Sequence, residues 1–112
     1  MSPTQKSLAE CRERGWTCQV VERWIPQARR RIDFLGVIDI IALTGTGILG
    51  IQACAGASHA ARRTKAMALP GLRAWLECGG VFAIWSWSKR GARGKRKVWT
   101  LREERITTEM LP

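Results

Sequence analysis

A chain of 112 residues, 46% hydrophobic and 25% charged, suits one domain (1–112) with one core, and this composition excludes a disordered or low-complexity protein. The 19 Lys and Arg outweigh 9 Asp and Glu for a net charge of +10. Such a field favours polyanionic partners, nucleic acid before anionic membrane, with a charged surface that merely maintains solubility as the plainer alternative.

The opening MSPTQKSLAECRER is polar and charged, so no secretory leader is expected. Ser2-Pro3, with Gln5 completing a capping box, starts a helix through Leu8 and Cys11 to Arg14, and Gly15 ends it. WTCQVVERWI (16–25) reads as one strand closed by Pro26, and 27–33 as a basic loop. The apolar stretch from Phe34 to Ala57 has the length of a membrane span, with Asp39 its one charged residue. Asp39, Gln52 and the Thr44-Gly45-Thr46-Gly47 turn signal argue instead for two strands, 36–43 and 48–54, joined by a tight hairpin. Membrane insertion is therefore not expected.

Gly56-Ala57-Ser58 breaks the chain before a helix over 59–67, and Pro70 starts another that ends at Cys78-Gly79-Gly80. VFAIWSWS (81–88) reads as a strand whose faces are Val81, Ala83, Trp85, Trp87 and Phe82, Ile84, Ser86, Ser88. A basic loop, 89–97, precedes a last strand over 97–106, and the tail is expected to fray. Cys11, Cys18, Cys54 and Cys78 form no C-x-x-C pair, and His59 is the single histidine. That spacing excludes a compact zinc site and fits reduced thiols in a cytoplasm.

Helix, three strands, helix and strand, with an acid opening the second strand, resembles the PD-(D/E)xK nuclease superfamily of restriction endonuclease-like and Holliday junction resolvase-like proteins. RIDFLGVIDIIAL (31–43), IQACAG (51–56) and RRTK (62–65) resemble its small phage-encoded members. The resemblance implies an α/β fold with an αβββαβ core, a mixed central sheet flanked by helices. It also implies Mg²⁺- or Mn²⁺-dependent DNA endonuclease activity, on branched or recombination DNA, in a bacterial or phage-infected cell. On its pattern Asp39, Gln52 and the Ala53 carbonyl are the metal ligands. Cys54 stands where the family places its lysine, so Lys65, Arg62 or Arg63 on the next helix would supply the positive charge. A lapsed relative that only binds DNA or a protein partner is the alternative reading.

Plainer roles stand beside these. Asp39 suits a strand end, Gln52 a half-solvated strand, and Cys54 a small buried position. Asp33 suits a salt bridge with Arg30 or Arg31 better than a second metal ligand, Glu22 a surface strand position better than a cluster of acids, and His59 a helix start better than a general base. Arg29, Arg30, Arg31, Lys89, Arg90, Arg93, Lys95, Arg96 and Lys97 are placed to meet DNA phosphates. Trp85, Trp87 and Trp99 suit either a core or stacking on bases, and the two-residue spacing on a strand favours a core face or the contact of a homodimer.

Overall fold

Helix α1 spans Pro3–Glu13 because its first turn is satisfied locally. Ser2 Oγ accepts the Gln5 N–H and Gln5 Oε1 accepts the Ser2 N–H, both at 3.1 Å. Gly15, at φ +76°, turns the chain out of the helix. The computed structural model describes residues 1–112 and places this helix across one face of a five-stranded sheet.

The remaining elements are β1 (Thr17–Val20), β2 (Arg23–Ile25), β3 (Arg30–Ile32), β4 (Ile40–Leu43), β5 (Ile48–Ala55), α2 (His59–Met67), α3 (Pro70–Glu77), β6 (Val81–Arg90) and β7 (Val98–Ile106). The sheet order is β1-β4-β5-β6-β7, and β2 and β3 pair separately. β5 and β6 are parallel, joined by the α2–α3 crossover, and every other pair is antiparallel. The product is an α/β fold with a mixed sheet flanked by helices.

Strand alternation makes two cores. Ile38, Cys54, Ala66, Leu72, Phe82 and Ile84 pack between the sheet and α2 and α3. Cys11, Ile40, Leu49, Ile51, Ala83 and Trp85 pack beneath α1. Trp87 Nε1 donates to Ser7 Oγ of α1 at 3.0 Å. Trp85 and Trp87 are therefore buried within the chain, not a face offered to a second copy.

Several elements differ from the sequence expectation. The strand over 16–25 is two strands: the Val21 N–H makes a last bond to the sheet, to the Asp39 carbonyl at 2.8 Å, and the chain then leaves it to pair β2 with β3. Part of the 27–33 loop is β3, paired with β2. The strand over 36–43 begins only at Ile40. Ahead of it, Phe34 and Ile38 form a bridge across a turn with Leu35 at φ +57° and Gly36 at φ +79°. β6 continues to Arg90, so Lys89 and Arg90 lie on a strand. The tail is tied down: Leu111 packs on the core and the Pro112 carbonyl accepts from Arg73 Nη2 at 2.8 Å. No helix is long and apolar enough to cross a membrane.

Candidate functional site

Asp39 stands immediately before β4, at the end of the sheet where β1 and β5 finish. Its N–H bonds to the Ile51 carbonyl at 2.9 Å, and its carbonyl accepts from Val21, so both neighbouring segments hold its backbone. Its side chain takes the place of a strand acceptor. Oδ2 receives the Ala53 N–H at 2.9 Å and Gln52 Nε2 at 2.8 Å. Asp39, Gln52 and Ala53 are thus together, as the sequence suggested. The Gln52 group turned toward Asp39 is its amide nitrogen, and the Ala53 atom bonded to Asp39 is its N–H.

The β2–β3 hairpin brings two more acids. Arg23 pairs with Ile32, so Glu22 and Asp33 face each other at its foot. Carboxylate oxygens of Glu22, Asp33 and Asp39 lie within 4.8 Å of one another. Arg31 Nη1 pairs with Glu22 at 2.8 Å, while the Asp33 carboxyl lies against that of Asp39. The expected pairing of Asp33 with an arginine is therefore replaced by an acid–acid contact. Burial, then the hydrogen bond and charge of Asp33, push the Asp39 carboxyl up to about 8, against the stabilising Ala53 N–H. A positive charge placed here would relieve the crowding of carboxyls around Asp39.

Beside this cluster lies a polar pocket of about 310 Å³. Arg30, Arg31 and Asp33 line one side, and Arg62 and Lys65 of α2 line the other. Three positions apart on a helix, Arg62 and Lys65 share a face. Cys54 follows the Gln52–Ala53 pair on β5 but is buried in the core, and burial raises its thiol above the ordinary value. Arg29 lies at the hairpin turn, Lys89 and Arg90 end β6, and Arg93, Lys95, Arg96 and Lys97 occupy the exposed 91–97 loop.

His59 does start α2, but it belongs to a network that sequence reasoning missed. Its Nδ1 lies 2.6 Å from Ser86 Oγ and its Nε2 2.8 Å from Glu104 Oε1. A carboxylate only accepts, so Nε2 donates to Glu104 and Nδ1 is left to accept from Ser86 in the neutral ring. Arg63 Nε also donates to Glu104, at 3.0 Å. Although burial opposes it, the bonds from His59 and Arg63 hold the Glu104 carboxyl below its usual range. Ser86 and His59 are each 2% exposed, so neither is presented to a substrate, and the network fastens α2 to β6 and β7. The alternation of 81–88 puts Ser86 among apolar residues on the helix-facing side, the one sequence cue to a buried polar partner.

The chain matches no protein family, no curated protein and no solved structure.

Proposed function

We propose that this protein is a metal-dependent DNA endonuclease with a restriction-endonuclease-like core of the PD-(D/E)xK type. With the β2–β3 hairpin set aside, the order α1, β1, β4, β5, α2–α3, β6 corresponds to αβββαβ. The observation that carries the reading is the three-carboxyl cluster sharing Asp33 with a pocket of three arginines and a lysine. Carboxylate oxygens suit Mg²⁺ or Mn²⁺, and a buried carboxyl pushed above its usual range by burial and a neighbouring acid suits a cation beside it.

Glu22, Asp33 and Asp39 would hold the ion, which would supply charge to a phosphoryl oxygen and an acidified water. Gln52 and the Ala53 N–H orient Asp39. Arg62, Lys65 and Arg30 line the space where a phosphate would sit, and their charges take the part of the lysine missing at Cys54. The second reading, a DNA-binding relative without catalysis, is favoured by neutral Gln52 and buried Cys54. Incubating wild type and Asp39→Ala with duplex, single-stranded and four-way-junction DNA plus Mg²⁺ or Mn²⁺ separates the two. Cutting by wild type alone supports the nuclease. Equal cutting by both proteins overturns it, and gel retardation by both without cutting supports the binding reading.

A further inference from the structure

Two ribbons leave the sheet at one end. β1 finishes opposite the start of β4, and there the chain departs into the β2–β3 hairpin. β5 finishes at Ala55 opposite Trp87, so the β6–β7 pairs Ser88–Thr100, Lys89–Trp99 and Arg90–Val98 continue past it without a third strand. β5 and β6 are parallel, and β4 and β7 are antiparallel to them, so both departures are at the same end as Asp39.

Neither ribbon contributes a buried residue. Arg23 to Ile32 are exposed or half-buried, as are Ser88 to Thr100. Two-stranded ribbons are marginal in water, and these carry dense like charge. The hairpin bears Arg23, Arg29, Arg30 and Arg31, and the longer ribbon Lys89, Arg90, Arg93, Lys95, Arg96 and Lys97. Each also has a half-exposed tryptophan, Trp24 at 53% and Trp99 at 50%. Lys6 and Lys89 stand over the Trp99 ring at 3.8 and 5.3 Å. Core packing explains none of these side chains.

We infer that the two ribbons are opposed jaws that grip the two backbones of a B-form DNA duplex, with the acid cluster between their roots. Sheet strands about 4.8 Å apart put β1 and β6 three steps, roughly 14 Å, from each other. That span compares with a major groove of about 12 Å, and it lets cations on either side meet different strands. A single strand would engage one jaw. The hairpin has two tasks here: its foot supplies Glu22 and Asp33, and its exposed side chains Arg23, Trp24 and Arg29, on both of its faces, meet DNA. The inference rests on the DNA-binding part of the proposed function and is independent of cleavage.

The test measures fluorescence anisotropy of a labelled short duplex and of one of its strands, in EDTA, across a salt series. Wild type is compared with Arg23→Ala/Arg29→Ala and Arg93→Ala/Lys95→Ala/Arg96→Ala, after thermal melts establish that each is folded. None of these residues lines the pocket beside the acids. Each lost phosphate contact lowers the slope of log K against log salt by about 0.9. The expected losses on duplex are therefore up to about 1.8 for the hairpin variant and about 2.7 for the ribbon variant, with weaker wild-type binding to the single strand. A wild-type slope in either variant overturns the two-jaw grip. So does single-strand binding as tight as duplex binding, or binding of anionic phospholipid vesicles without duplex binding. Cleavage of DNA by wild type and Asp39→Ala alike overturns the nuclease reading and leaves these slopes untouched.

Discussion

Asp39 is the residue at which fold and proposed chemistry meet. Its carboxyl holds a proton up to about 8 in the folded chain, whereas an unfolded carboxyl releases it near 3.8. Between these values the folded state binds more protons, so stability is greatest at the acidic end and falls as pH rises. The fall is about 1.4 kcal/mol per pH unit while the difference is one proton. Denaturant titrations of the metal-free protein from about pH 5 to about pH 8 are expected to follow this slope. Asp39→Asn, whose amide oxygen still accepts from Gln52 and Ala53, flattens it, and so does Mn²⁺ on the wild type. An equally steep profile in the variant would mean that another group is responsible. Gln52→Glu probes the cluster from the opposite direction. A further carboxyl lowers the melting temperature in EDTA and enlarges the rise on adding Mn²⁺, because the new charge is uncompensated until a cation binds. Equal Mn²⁺ shifts in the two proteins would place the ion elsewhere.

At the scale of elements, α2 is aimed by its first residue. His59→Ala leaves Ser86 Oγ buried without its partner and frees one bond to Glu104, at a cost of about 2–4 kcal/mol. In a double-mutant cycle with Ser86→Ala, measured by urea unfolding, the two losses are expected to be strongly non-additive. Additive losses would show that the bond carries no coupling. The turn after α3 is similarly constrained. A Cβ on Gly80 would lie 2.5 Å from the Trp75 ring, whose Nε1 donates to the Val81 carbonyl. Gly80→Ala should therefore cost about 1–3 kcal/mol, measured in the same way, and Trp75→Leu should recover part of it. Much at this scale is legible in the sequence. Ser2-Pro3, Thr-Gly-Thr-Gly, Pro70 and the Cys78-Gly79-Gly80 stop are local signals, and the β6 alternation sorts Phe82 from Trp85 correctly. The break at Val21–Glu22 has no glycine or proline to announce it, since the next segment takes its partner from β3 and not from the sheet. The acid cluster is legible only in part: Glu22 can be seen as a candidate for it, but Asp33 reads as a salt-bridge partner. Glu22, Asp33 and Asp39 are scattered along the chain until hairpin register brings them together, and the run of arginines beside Asp33 suggests an ion pair that Arg31 in fact makes with Glu22.

Across the whole molecule, positive charge is unevenly placed. Of 19 basic residues the hairpin carries four, α2 three and the 89–97 segment six, all at the end of the sheet with the acid cluster. This concentration opposes folding through self-repulsion, so its removal separates what stability needs from what binding uses. Replacing residues 91–97 with Asn-Gly would close β6 and β7 by a two-residue turn directly beyond the Arg90–Val98 pair. Four positive charges, Arg93, Lys95, Arg96 and Lys97, go with the loop. No core contact is lost, because every residue from 91 to 97 is exposed. The shorter loop lowers closure entropy by about 1 kcal/mol, and repulsion also falls. Urea unfolding should therefore find the variant as stable as wild type or slightly more so, while its affinity for duplex DNA drops and becomes less salt-dependent. A destabilised variant would assign the loop a part in holding the sheet together. A stable variant with undiminished DNA affinity would leave the charge concentration to α2 and the hairpin.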